Sequence, residues 1–351
     1  MGNSMQVALI GVGMVAQTHV AAIAATGKKV QLRGILSRDT ARATAFAHKI
    51  GDQFGSTPQV YESIAAIAGD PEIDFVILCT PPNARAEIIT ALAMAGKPIL
   101  MEKPIERSHA AALKIVETCE TAGVPLGVVF QHRKRESAEL LAARLLAGAF
   151  GKPHLLEISV PWWREQSYYD EPGRGTYARD GGGVLISQAI HTLDLALSMA
   201  SPVVKVQALA STTGMHTMES EDFVTAGLVF EDGMIGSVVA STASYPGGVE
   251  TIRIHCENAS ATLRAAQLEI SWRDGRVEVI GEAGGTGGGA DPMAFTHEWH
   301  QAIIEDFADA ITQNRAPIAS GRASLAVHKV IDAMVASSRQ ESIIHLNPSE
   351  I

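Results

Sequence analysis

Through the first 130 residues, short apolar runs alternate with stretches whose apolar positions recur every three or four residues. Residues 7–10, 31–36, 75–79, 99–101 and 125–130 predict buried strands, and 15–25, 40–50, 84–95 and 109–121 predict helices. Strands alternating with helices imply an α/β Rossmann arrangement, a parallel doubly wound sheet covered on both faces. Gly27, Gly51, Gly96 and Gly123 stand where left-handed residues close helices.

After about residue 130 the pattern changes. Helices are predicted over 137–147 and 187–199, with strands over 154–160, 203–209, 223–230, 234–241, 251–256, 261–263 and 268–271. Asp232-Gly233 and Asp274-Gly275 are hairpin-turn pairs. Successive strands on tight turns predict an α+β C-terminal domain with an open, mostly antiparallel sheet. Gly281–Gly289 reads as a mobile loop. Helices over 295–312 and 320–338 close the chain. The expected division is 1–130 for the nucleotide-binding domain and 131–351 for a substrate-binding and oligomerisation domain.

The chain has 351 residues, 46% of them hydrophobic, enough for two packed domains. The net charge of −10 without a basic run argues against nucleic acid and against anionic membranes as partners. It leaves a small-molecule ligand open. Cys79, Cys119 and Cys256 lie far apart and form no CxxC, which fits a reducing compartment. No apolar run approaches the ~18 residues of a membrane span. A soluble, cytoplasmic protein is expected, with no metal-ligand cluster in the sequence.

Gly11-Val12-Gly13-Met14-Val15-Ala16 follows the first apolar strand and opens a helix, as a G-x-G-x-x-A dinucleotide turn requires. Gly11 permits the tight turn, Gly13 lets a pyrophosphate approach the backbone, and Ala16 lets the helix pack closely. The helix N-terminus, with Met14 and Val15, presents N–H groups to phosphate. The second strand ends at Ser37 and Arg38 instead of an acidic residue. A hydroxyl and a guanidinium suit a ribose 2′-phosphate, so the expected cofactor is NAD(P) with a lean to NADP. Asp39 is placed to fold back onto the ribose. Thr80-Pro81-Pro82-Asn83 and Glu102-Lys103-Pro104 lie at carboxyl ends of parallel strands, where open α/β sheets bind ligands. Thr80, Pro81, Asn83, Glu102 and Lys103 join the cofactor candidates.

These blocks resemble the Gfo/Idh/MocA oxidoreductases, the relatives of glucose–fructose oxidoreductase and inositol dehydrogenase. The likeness extends through Gly96-Lys97-Pro98, Asp180-Gly181-Gly182-Gly183 and Gln188-Ala189-Ile190-His191-Thr192-Leu193-Asp194, across nearly the whole chain. The resemblance implies an NAD(P)-dependent dehydrogenase or reductase acting on CH–OH groups of a sugar, cyclitol or related polyol. It also implies a homodimer or homotetramer formed through the C-terminal sheet. The family's lysine maps to Lys103 and its histidine to His191. The residues themselves agree. Ser187, His191 and Asp194 fall on one face of a regular helix. A histidine near neutral pKa suits removal of a hydroxyl proton, Lys103 suits stabilising the oxygen, and Asp194 suits orienting the imidazole.

Two positions depart from the family pattern. Ser187 stands where many relatives carry Asp or Asn, and Arg85 where many carry His; Arg85 is left to the cofactor or to a surface ion pair. The stretch before the glycine triplet supplies substrate candidates Trp162, Arg164, Tyr168 and Arg174, with Arg133 and Ser187 beside them, because aromatic faces stack on sugar C–H surfaces and arginine binds hydroxyls or carboxylates. Alternatives within the family are a trans-dihydrodiol dehydrogenase and an NAD-dependent glycosidase. A cofactor-binding regulator is the non-enzyme alternative.

Overall fold

A computed structural model describes residues 4–282 and 296–347. Most of the glycine-rich stretch 281–289 lies outside the described residues. The elements in order are β1 (Met5–Ile10), α1 (Ala16–Ala25), β2 (Val30–Leu36), α2 (Thr40–Phe54), β3 (Gln59–Val60), α3 (Ile64–Gly69), β4 (Phe75–Leu78), α4 (Ala86–Met94), β5 (Ile99–Met101), α5 (His109–Thr121) and β6 (Leu126–Val128). There follow α6 (Glu136–Leu146), β7 (Pro153–Pro161), α7 (Gln166–Tyr169), α8 (Ile190–Ser198), β8 (Val203–Ser211), β9 (Phe223–Phe230) and β10 (Ile235–Ser241). The chain continues with β11 (Thr251–Cys256), β12 (Ala259–Arg264), β13 (Gln267–Trp272), β14 (Val277–Ile280), α9 (Glu298–Gln313), α10 (Gly321–Gln340) and β15 (Ile344–His345).

The chain forms two compact units. The first takes in Met1–Glu106, Ala110–Gln131 and Thr296–Arg322. Its parallel sheet has the order β3-β2-β1-β4-β5-β6, so the winding reverses between β1 and β4, where a doubly wound sheet opens a ligand crevice. Val7 and Leu9 of β1 and Phe75 and Ile77 of β4 pack with Val20 and Ile23 of α1 and with Ile304 and Phe307 of α9. The Phe75 and Phe307 rings meet edge to face at 5.5 Å. This contact draws residues 296–322 into the first unit, whereas a single boundary at 130 assigned them to the second. The short β3 and α3 were not predicted. Helix α2 also runs past Gly51, and Gly55, at φ +77°, closes it.

The second unit holds Arg107–His109, His132–Phe295 and Ala323–Ile351. Its nine-stranded sheet has the order β14-β13-β12-β11-β7-β10-β9-β8-β15. β7 and β10 run parallel, and the other pairs are antiparallel. Burial alternates along β7, β9 and β11, so one face is packed, with α6 and α8 contributing contacts. β14 and β15 are edge additions with little burial and weak sequence signals. The predicted helix over 187–199 begins as a π-helical segment, Leu185–Ala189, before α8. That i→i+5 bonding changes the residue spacing, so Ser187 leaves the regular face expected for it with His191 and Asp194. Among the described residues, no helix is long and apolar enough to cross a membrane.

Candidate active site

In the first unit the turn after β1 has the shape a dinucleotide needs. Gly11 sits at φ +101°, and a Cβ there would come within 2.9 Å of the Cys79 carbonyl oxygen. Gly13 is exposed, with nothing within 4 Å of the place its Cβ would occupy. Met14 is exposed, Val15 is half-buried and Ala16 is fully buried under the start of α1. No side chain caps that helix; the Ala16 N–H donates to the Gly13 carbonyl at 3.2 Å, and the N–H groups that follow it face an anion. Thr80, beyond β4, has a buried Oγ1 without a hydrogen-bond partner. An open glycine, an uncapped helix start and an orphaned hydroxyl fit a dinucleotide; Pro81 and Asn83 are exposed on the same turn. At the end of β2, Ser37 is half-buried and Arg38 exposed. Asp39 caps α2, its carboxylate accepting from the Arg42 N–H at 3.0 Å. That bond accounts for a residue offered to the ribose by sequence alone.

The turn after β5 is built on buried charge. Glu102 is buried, Lys103 half-buried, and the Lys103–Pro104 peptide is cis. Glu102 Oε1 lies 2.7 Å from His19 Nε2 and 3.8 Å from His300 Nε2. Burial alone would raise the Glu102 pKa, but the hydrogen bond and charge of His19 bring it down to about 2. Burial works against a charge on His19, yet Cys79 and Glu102 outweigh it and raise its pKa to about 10. Burial and the neighbouring His19 charge push His300 down to about 3. The three ligand atoms lie within 4.8 Å of one another, a set able to hold a divalent ion; the 2.7 Å contact already makes a direct hydrogen bond. Arg85 corrects an expectation. It is 2% exposed, neither a surface ion pair nor a residue reaching outward. Its guanidinium donates to the Thr80, Glu102 and Pro104 carbonyls.

In the second unit His191 lies on α8 and is 8% exposed. Both oxygens of Asp194 accept from Arg133 at 2.7 Å, a bidentate pair. Asp194 and Arg133 were expected to serve an imidazole and a substrate, respectively; here each holds the other. The His132 ring lies 5.0 Å from that of His191, inclined by 32°. His132 Nε2 is 2.6 Å from Arg135, whose guanidinium is paired in turn with buried Glu250 at 2.9 Å. His132, Arg135 and Glu250 were missed by sequence reasoning, and no local pattern marks them.

The substrate candidates of the second unit form a network. Buried Arg164 lies over the rings of Trp162 and Tyr168, at 5.4 and 5.8 Å. Arg174 stacks on Tyr168 at 4.5 Å and donates to its hydroxyl at 3.1 Å. Gln188, beside half-buried Ser187 on the π-helical segment, donates to that hydroxyl at 3.4 Å. Trp162 Nε1 and Gln188 Oε1 are buried without hydrogen-bond partners, so a donor and an acceptor remain to be satisfied. The glycine triplet has a steric reason. A Cβ on Gly183 would fall 1.7 Å from the Glu221 carbonyl oxygen. Glu221 Oε1 also accepts from Gly183 N and Leu185 N, capping the segment that leads to His191.

Residues 5–130 match the oxidoreductase family with an NAD-binding Rossmann fold, and residues 139–286 match the Gfo/Idh/MocA C-terminal domain. The chain belongs to the Gfo/Idh/MocA family. It is an NAD(P)-dependent oxidoreductase with that family's parallel Rossmann sheet and mostly antiparallel second sheet. It is similar to a D-apiose dehydrogenase of Rhizobium rhizogenes, 27% identical over 94% of each chain. It is also similar to the scyllo-inositol 2-dehydrogenase (NAD(+)) of Bacillus subtilis, 25% identical over 91% of this chain and 89% of that one. Among solved structures it resembles the WlbA dehydrogenase of Bordetella pertussis in complex with NADH and UDP-GlcNAcA, with TM-score 0.82, 25% identity, and coverage of 98% of this chain and 99% of that one.

Proposed function

We propose that this protein transfers hydride reversibly between NAD(P) and a secondary alcohol or ketone of a sugar, cyclitol or related polyol. Lys103 and His191 act at the reacting oxygen. In the oxidising direction His191 takes the hydroxyl proton, and the Lys103 ammonium stabilises the negative charge that develops on the oxygen as the hydride departs. The nicotinamide, when bound, accepts or returns that hydride. Arg133 keeps the Asp194 carboxylate fixed on α8, so its part is to hold the helix that carries His191. The observation that carries the substrate class is the Trp162–Arg164–Tyr168–Arg174–Gln188 network, with a buried indole N–H and amide oxygen left for hydroxyls. The D-apiose and scyllo-inositol dehydrogenase relatives support the same class.

The Ser37-Arg38 pair favours NADP(H), the guanidinium pairing with the 2′-phosphate. Residues 131–351 supply the substrate-binding and oligomerisation domain, whose open sheet face pairs with a second copy in a homodimer or homotetramer. The net charge of −10 argues against nucleic acid and anionic membrane as partners and leaves a small-molecule partner open, and the cytoplasm is the proposed location. The test is His191→Ala, assayed on a polyol and sugar panel beside fluorescence titration with NADPH and NADH. Turnover falls while cofactor affinity is kept; full turnover in the variant refutes the role. Tighter NADPH than NADH binding supports the Ser37-Arg38 reading, and the reverse order removes it.

A further inference from the structure

We propose that Arg85 is a positioning residue, locking the turns after β4 and β5 into one platform on which Lys103 and the cofactor's nicotinamide end depend. This inference rests on the role given to Lys103 above. β4 and β5 pair in register as far as Leu78 and Met101, and the Glu102 N–H to Leu78 carbonyl bond, at 2.9 Å, is the last rung between them. Beyond that rung the Thr80 turn and the Lys103 turn are joined by a side chain. Arg85 takes over. Nε and Nη2 donate to the Thr80 carbonyl at 2.9 and 2.6 Å, and Nη1 donates to the carbonyls of Glu102 and Pro104. Its acceptors therefore bracket Lys103 on both sides and reach across to the residue whose hydroxyl is orphaned.

These carbonyls need a donor, because a buried oxygen left unpaired costs about 1–3 kcal/mol. The choice of arginine has a geometric reason. A planar fork with five N–H groups can serve three acceptors at once, whereas a lysine ammonium is a compact point charge on a flexible stem. Burial pulls the Arg85 pKa down from its ordinary value to about 10, against the charges of Glu102, Cys79 and Glu106, so the fork stays charged at neutral pH. A filler of core volume would not need donors aimed at three carbonyls. Those donors set where the Lys103 main chain lies, and through it where the ammonium can reach.

The test uses the full chain as Arg85→Ala, Arg85→Gln and Arg85→Lys. Lysines are reductively methylated with ¹³C-formaldehyde, and the Lys103 methyl resonance, assigned by its loss in Lys103→Arg, is followed against pH. NADH and NADPH affinities are read by fluorescence. Where the panel above yields a substrate, kcat and KM are measured separately. The expected result in Arg85→Ala is a Lys103 resonance moved toward that of an exposed lysine, with weaker binding of both nucleotides. A loss of kcat of about 100-fold accompanies it, the scale of a misplacement near 1 Å. Millimolar guanidinium returns the resonance and the affinity, and Arg85→Lys does not. An unmoved resonance and unchanged affinity in folded Arg85→Ala, or in Arg85→Gln if the alanine variant does not fold, overturns the proposal. So does full recovery by lysine, since charge alone would then suffice. A wild type without turnover on any polyol overturns the proposed function instead, and the resonance and nucleotide affinities still decide the role of Arg85.

Discussion

The buried His19–Glu102–His300 cluster makes a quantitative demand on stability. Both histidines are essentially inaccessible, at 0% and 1% exposure, and their rings meet edge to face at 5.2 Å. Their pKa values nevertheless move apart from a common 6.5, His19 up to about 10 and His300 down to about 3. Between pH 6.5 and about 10 the folded chain holds a proton at His19 that the unfolded chain has released, so stability falls as pH rises. Between about 3 and 6.5 the unfolded chain holds a proton at His300 that the folded chain refuses, so stability falls as pH drops. Each limb slopes at about 1.4 kcal/mol per pH unit. The alkaline limb therefore removes about 3 kcal/mol by about pH 8.5, and the acid limb about 2 kcal/mol by about pH 5. The assay is urea unfolding of wild type and His300→Phe across that range, taking the difference at each pH so that titrations elsewhere cancel. Phenylalanine keeps a ring of similar size without the titrating nitrogens. The acid limb should flatten in the variant while the alkaline limb remains. Curves that run parallel from about pH 5 to about 6.5 would refute the reading of His300 as a buried neutral imidazole.

The two glycines of the dinucleotide turn should separate cleanly. Gly13→Ala meets no atom within 4 Å and should leave the melting temperature unchanged while weakening NADH about tenfold or more, or ~1.4 kcal/mol, in fluorescence titration. Gly11→Ala forces φ +101° on a residue with a Cβ 2.9 Å from Cys79 O and should cost about 1–3 kcal/mol in thermal unfolding; the opposite pattern would reject the geometry of the turn. Glu250→Ala leaves the buried Arg135 uncompensated and should destabilise by about 3–5 kcal/mol in urea, with Arg135→Leu in the same chain recovering part of the loss.

Much of this architecture can be read locally. Apolar alternation, glycine placement and helix periodicity mark β1, β2, β4, β5 and β6 with α1, α2, α4 and α5, because each depends on neighbours within a few residues. Gly11, Gly13 and Ala16 are legible for the same reason: the backbone conformation and close packing they permit are properties of those positions. The glycine triplet also stands out in sequence, although the cause of Gly183, a carbonyl 38 residues away, is visible only once the chain is folded. The partners of charged side chains were not legible. Asp194 is met by Arg133 across 61 residues, and Arg135 by Glu250 across 115. Arg85, left to the cofactor or to a surface ion pair, is buried, Asp39 is a helix cap, and Ser187 lies on a π-helical segment. α9 packs on α1 from the far end of the chain. A sequence states which groups are present and which local backbone they favour. What a buried charge faces is decided by the packing that removes it from water, where each donor and acceptor must find a partner wherever the fold provides one.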